Sequence, residues 1–263
     1  MKTIITFLRV TMLFSVTVVS LMGCGGSGSS TNGGVVAPGG TAEIILLHHS
    51  TGENIWNGGV PQWFEQHAAQ YRIVEQWFPA AADGNYPYDY WNIWVNRGGQ
   101  DAPLETLTAN YKLISFKHCF PVSEIEADTG NPDIASDEKR LENYLLQYNA
   151  LKAKLRTFPN NLFLVWTGAV QVQNAISEES AQRTRTFFDW VKTQWDEPGD
   201  NIFLWDFYEL ETAGGLYLRP EYAAGPDDAH PNDSFAQMAA PLLAQRLVNV
   251  LEGRGDSSSL TGR

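Results

Sequence analysis

Five short apolar runs, separated by stretches of helical periodicity, constrain this chain more than any other feature. They are Glu43 to His48 (EIILLH), Tyr71 to Phe78 (YRIVEQWF), Lys112 to Phe116 (KLISF), Asn161 to Thr167 (NLFLVWT) and Asn201 to Phe207 (NIFLWDF). Three are nearly continuous in apolar residues, as parallel strands buried on both faces tend to be. Between and after them, apolar residues recur at three and four positions. One set is Leu141, Tyr144, Leu145, Tyr148, Leu151 and Leu155, and a second is Phe187, Phe188, Val191 and Trp195. A closing helix carries Phe235, Met238, Ala239, Leu242, Leu243, Leu247 and Val250 on one face, with Asn232 or Asp233 able to cap it. Strands alternating with helices require right-handed crossovers and a covered parallel sheet. The expectation is a three-layer α/β/α sandwich on a mostly parallel five-stranded sheet, flavodoxin-like in arrangement. The aromatic segment from Pro79 to Asn110 (including YPYDYWNIWV) has no clear period and is expected to form an insertion over the ligand edge. Within it, Trp91 and Trp94 are spaced to share a helix face and enter a core.

Both ends read differently from this body. Met1 to Gly23 has Lys2 and Arg9 ahead of an apolar run, Val10 to Met22, and no acidic residue, which reads as a signal peptide. Leu21-Met22-Gly23-Cys24 resembles a bacterial lipobox, in which Cys24 would carry lipid, and Gly25 fits the outer-membrane type in a Gram-negative host. Cys24 to Thr41 then reads as a lipidated cysteine and a Gly/Ser-rich leash of about 20 to 25 Å reach. The expected domain runs from 42 to 253, and 254 to 263 reads as a disordered polar tail. This predicts a cell-envelope protein held to a membrane through Cys24.

Charge and cysteine count then narrow the function. With 18 Lys plus Arg against 30 Asp plus Glu the net charge is −12, and −12 − 2 = −14 once a signal carrying Lys2 and Arg9 is removed. Nucleic acid is excluded as a partner, since binding it depends on neutralising phosphates. Two cysteines with no metal-finger spacing make neither a disulfide framework nor a structural zinc module. Once Cys24 is lipidated, Cys119 is the single remaining thiol, and it reads as a buried small hydrophobe.

In open parallel sheets the ligand sits beyond the carboxyl ends of the strands. The residues found there are His48-His49-Ser50-Thr51-Gly52, Lys117-His118-Cys119-Phe120-Pro121 and, before the last helix, Asp227-Asp228-Ala229-His230-Pro231-Asn232. Acyl transfer needs a serine hydroxyl, an imidazole base and a carboxylate to orient it. Ser50, His230 and Asp227 supply these, the DxxH spacing letting Asp227 curl back to the ring. Asp228 is the alternative acid, while Asp206 reads as structural. His48, His49, His118 and His230 also form a candidate metal cluster for a rival, metal-dependent hydrolysis. His67, within a predicted helix, reads as structural.

These strings, the strand-to-Ser50 turn and the DDAHPN before a terminal helix, resemble the SGNH (GDSL-type) hydrolase superfamily from Ala42 to about Gly253. The resemblance implies a flavodoxin-like fold and a serine esterase without cofactor. The nucleophile would be Ser50, the base His230 and the acid Asp227, acting on an O-acyl ester of a carbohydrate or another extracellular molecule. The chain departs from the family pattern in two places. His48-His49 replaces Gly-Asp before the nucleophile, and the Gly-x-Asn-Asp block with its oxyanion asparagine has no match. Candidate oxyanion donors are the backbone N–H of Ser50, Gly98 or Gly99, and the side chains of Lys117, His118 or Ser123. Gly255-Asp256-Ser257 spells the family's GDS string but follows no strand, and Arg254-Gly255-Asp256 is an incidental adhesion-like tripeptide. A third reading, a glycan-binding lipoprotein on a degenerate hydrolase fold, draws on the nine tryptophans and ten tyrosines.

Overall fold

The computed structural model describes residues 43–80 and 84–263. The segments read from sequence as a signal peptide, a lipidated Cys24 and a leash lie outside these residues. All five apolar runs contain strands: β1 (Ile44–His48), β2 (Ile73–Trp77), β3 (Leu113–Phe116), β4 (Leu162–Trp166) and β5 (Ile202–Trp205). They pair in parallel in the order β2-β1-β3-β4-β5, so β2 and β5 are the edges. The period-two alternation of side chains divides each strand between two cores. Ile45, Leu47, Ile114, Phe116, Phe163, Val165 and Leu204 face one layer, and Ile44, Leu46, Leu113, Leu164, Trp166, Phe203 and Trp205 face the other.

Helices α1 (Ser50–Asn57), α2 (Val60–His67) and the closing α8 (Asp233–Leu251) cover the second face. The first face is covered by α3 (Pro87–Trp94), α4 (Leu104–Asn110), α5 (Leu141–Leu155) and α6 (Glu178–Trp190), so the three-layer α/β/α architecture holds. A short α7 (Phe207–Thr212) follows β5, its first turn capped by Asp206, which accepts from Glu209 N and from the Thr167 hydroxyl. That is the structural role expected of Asp206. His67, at the end of α2, stacks on Trp63.

Two regions depart from expectation. The aromatic segment lies over the ligand edge only in part: Pro79 and Asn85 bond His49 and Cys119 there, while most of its rings go elsewhere. Its helix α3 packs against α5 and buries Tyr90, Trp91 and Trp94, because each turn of α3 presents large rings to the sheet. The 254–263 tail is ordered. Arg246, 1% exposed in α8, donates to the carbonyls of Leu204 and Gly255 and to the Ser258 hydroxyl. Asp206 N donates to Leu260 O, and Trp205 Nε1 to Thr261 O, so the tail lies along the β5 edge. A buried guanidinium needs acceptors for its N–H groups, and here the tail supplies them. Asp256 of the RGD string accepts from Gly199 N, and Gly255 is buried.

Candidate active site

Ser50 is the first residue of α1, one position beyond the His49 N-cap, and therefore sits directly past the carboxyl end of β1. No side chain caps this helix. Gly52 N and Glu53 N donate to His49 O and the Thr51 N–H to the Cys119 sulfur, so within its first turn only the Ser50 N–H has no partner among the described residues, at the positive end of the helix dipole. Gly52 in the first turn has a steric reason to be glycine. A Cβ there would fall 2.4 Å from His48 Cβ and 2.9 Å from Lys117 Cδ, so its absence lets the lysine stem pass beneath the helix.

Lys117 and Cys119 extend from β3 under that first turn. Lys117 is fully buried and its ammonium donates to the Thr51 hydroxyl. The Cys119 sulfur is hydrogen-bonded to Ser50 Oγ at 3.4 Å and lies 3.9 Å from Thr51 Oγ1. Burial pushes its thiol up, but the Lys117 charge, the Ser50 hydroxyl and the backbone N–H groups of Thr51 and Phe120 outweigh it, leaving the thiol more acidic than an ordinary cysteine. Cys119 is thus buried as expected, yet it is hydrogen-bonded to Ser50 and lies beside a buried lysine rather than among apolar groups alone. Glu211 faces the same lysine. Burial holds its carboxyl well above the usual range, against the Val170 N–H and Lys117, and its Oε1 has no partner. Burial in turn lowers the Lys117 ammonium, with Cys119 and Glu211 opposing.

The loop holding Cys119 is fixed by residues that the sequence pattern did not single out. Cys119 N donates to the carbonyl of Asn85, whose side-chain amide donates to Phe78 O. The Tyr90 hydroxyl donates to Lys117 O. The aromatic segment therefore serves the site by bracing it from behind.

His230 lies on a two-stranded hairpin, β6 (Ala223–Gly225) and β7 (Asp228–Pro231), which packs against α1. The hairpin is tied down by Asn232, which caps α8 through Phe235 N and donates to Glu221 O and Ala223 O. The carboxylate on His230 Nδ1 is that of Asp228, at 2.6 Å, and the same oxygen accepts His230 N at 2.9 Å. This corrects the assignment of Asp227, and the reason is the strand. In extended chain, residues two apart share a face, so Asp228 lines up with His230, while Asp227 stands exposed in the hairpin turn. Burial raises the Asp228 carboxyl, but the backbone and ring hydrogen bonds from His230 more than offset this and leave it below its ordinary value. Phe120 links the parts, its ring meeting the His230 imidazole edge-on at 5.3 Å, one residue beyond the cysteine that touches Ser50. In this structure the Ser50 hydroxyl is bonded to the sulfur, and no hydrogen bond joins it to His230.

The other histidines do not converge. His48 Nε2 pairs with Glu75 at 2.7 Å, His49 Nε2 donates to Pro79 O at 2.6 Å, and His118 Nε2 pairs with the Tyr148 hydroxyl at 2.6 Å. Burial drives His49 down to about 4 and His118 down to about 3, so both are neutral. Among the described residues no group of three His, Cys, Asp or Glu side chains is placed to hold a metal ion, which removes the basis of the histidine-cluster reading. Three proposed oxyanion donors are also engaged elsewhere. Gly98 N donates to Asn92 O, the Ser123 hydroxyl to Phe120 O, and His118 faces Tyr148 in the opposite core. Lys117 is occupied with Thr51, and Gly99 follows α3 at a positive φ of 76°. Of the proposed donors, the N–H groups of Ser50 and Gly99 have no hydrogen-bond partner among the described residues.

Fold and site together define a three-layer α/β/α protein with a serine, a histidine-carboxylate pair and a buried lysine-cysteine pair gathered at the carboxyl edge of its sheet. No protein-family model matches the chain, and no curated protein matches it in sequence. Among solved structures it is similar to BT4096, a gut microbial diltiazem-metabolizing enzyme, at 10% identity and a TM-score of 0.45. The match covers 85% of this chain and 49% of that one, so the chain spans about half that enzyme's length.

Proposed function

We propose that the protein is a serine esterase that removes an O-acyl group. The observation carrying this reading is the His230–Asp228 pair, held on a hairpin that packs against the helix whose first residue is Ser50. His230 Nε2 takes the Ser50 proton as Oγ attacks the ester carbonyl. Asp228 fixes the tautomer that leaves Nε2 free and stabilises the imidazolium. The imidazolium then protonates the leaving alcohol, and water, deprotonated in turn by His230, releases the acyl group from Ser50. The oxyanion develops at the open end of α1, where the Ser50 N–H and the helix dipole oppose its charge. Lys117 and Cys119, a nearly neutral pair beneath the turn, fix the Ser50 and Thr51 side chains and contribute position rather than net charge. Tethered through Cys24, the enzyme would act at the cell envelope.

The test is hydrolysis of an aryl acetate by the full chain, by Ser50→Ala and by a chelator-treated sample. Activity lost in Ser50→Ala and indifferent to chelation is expected. Activity that survives Ser50→Ala, or that chelation abolishes and metal restores, contradicts the serine mechanism.

A further inference from the structure

The alcohol side of the ester is addressed by a residue outside the triad. Trp77 ends the edge strand β2 and is 44% exposed, more than any other large apolar side chain described. The register pairs it with His48, two residues before Ser50. With strands about 4.8 Å apart and a rise of about 3.3 Å per residue, its backbone lies about 8 to 10 Å from that of Ser50, roughly one sugar ring away. The indole is held in place. One face stacks on the His49 imidazole, with ring centres 4.4 Å apart and planes 18° apart. His49 is fixed in turn by its bond to Pro79 O. Two residues back on the same strand, and so on the same face, is the partly exposed Glu75 carboxylate, one oxygen of which is paired with His48.

A rigid aromatic plane with a carboxylate beside it on the strand matches the two sides of a pyranose, an apolar C–H face and a rim of hydroxyl donors. It does not match a lipid chain, which needs a longer apolar track. The other exposed large apolar residues, Leu146 and Met238, stand on α5 and α8, in opposite layers. The net charge of −12 disfavours anionic sugars. We propose that Trp77 is the stacking platform of a subsite for an uncharged sugar, making the substrate an O-acylated neutral carbohydrate. This rests on the Ser50 esterase reading for its chemistry, though not for sugar binding itself.

The experiment compares the full chain with Trp77→Ala, Trp77→Phe and Ser50→Ala on the fully acetylated methyl glycosides of glucose and xylose, and on ethyl acetate, which has no ring. Trp77→Ala should lower kcat/KM for the sugar acetates by about 3- to 10-fold, chiefly through KM, leave ethyl acetate within about twofold, and be partly rescued by Trp77→Phe. Equal losses on all three esters, no loss on the sugar esters, or a wild type indifferent between sugar acetates and ethyl acetate would overturn the platform. Failure of the esterase reading is seen separately, as hydrolysis that persists in Ser50→Ala. In that event saturation-transfer NMR with the unacetylated methyl glycosides still decides the subsite. Sugar C–H signals present with the wild type and lost in Trp77→Ala support it, and signals absent from the wild type or unchanged in the variant refute it.

Discussion

Asp228→Asn, compared with Asp227→Asn, separates the carboxylate chosen by strand geometry from the one chosen by sequence spacing. Asp228 Oδ1 accepts both His230 Nδ1 at 2.6 Å and His230 N at 2.9 Å. An asparagine oxygen can keep both bonds, but it removes the charge that stabilises the imidazolium formed as Ser50 attacks. A hydrogen bond to a charged partner is worth about 1.5 to 3 kcal/mol, or about 10- to 150-fold in rate. The Asp228 side chain is 51% exposed, so solvent screening favours the lower end, about 10- to 30-fold. Asp227, exposed in the hairpin turn, should change kcat/KM by less than about twofold. The assay is steady-state ester hydrolysis at neutral pH, with circular dichroism confirming that both variants fold. A larger loss in Asp227→Asn, or equal losses in the two, would refute the argument from strand alternation.

Three further outcomes follow from the packing. Gly52→Ala places a Cβ against His48 and the Lys117 stem and should cost about 1 to 3 kcal/mol by urea denaturation; a neutral substitution would mean that the lysine does not pass beneath α1. Ending the chain at Gly253 leaves the Arg246 guanidinium without Gly255 O and Ser258 Oγ and should destabilise the domain by about 2 to 4 kcal/mol; unchanged stability would restore the tail to disorder. His49 and His118 titrate lower in the folded chain, about 4 and about 3, than their ordinary 6.5. The unfolded chain therefore binds protons first as pH falls, and stability is full above 6.5. It declines below that value, levelling off for His49 near 4 and for His118 near 3. His118→Gln should flatten the decline in thermal midpoint between pH 6.5 and 3, and an unaltered slope would contradict a neutral His118.

Three of the strands were readable because burial on both faces leaves a nearly continuous apolar run, while the edge strand β2, with Glu75 and Gln76 in it, is only partly buried. Together the five runs sufficed to place Ser50 and the Lys117–Cys119 loop at one edge. The aromatic segment was opaque for the opposite reason: α3 is eight residues long, too short to establish a helical period, and its large rings suit a core as well as a lid. The Asp228 contact depends on residues 228 to 231 being extended. A four-residue strand between Pro226 and a proline-ended run carries almost no pattern, so spacing alone favoured DxxH. The role of the tail depends on Arg246, whose burial within an apolar helix is a tertiary fact, while the polar composition of residues 254 to 263 reads as solvent-exposed chain. Asn85 and Glu211 likewise belong to the site only through contacts far apart in sequence.

The central claim is that Ser50 is the nucleophile, and covalent trapping tests it most directly. Incubating the full chain with a fluorophosphonate and mapping the adduct by peptide mass spectrometry should place the label on Ser50, with labelling lost in Ser50→Ala and slowed in His230→Ala. A label on Cys119 in place of Ser50, or no adduct while ester hydrolysis proceeds, would contradict the account.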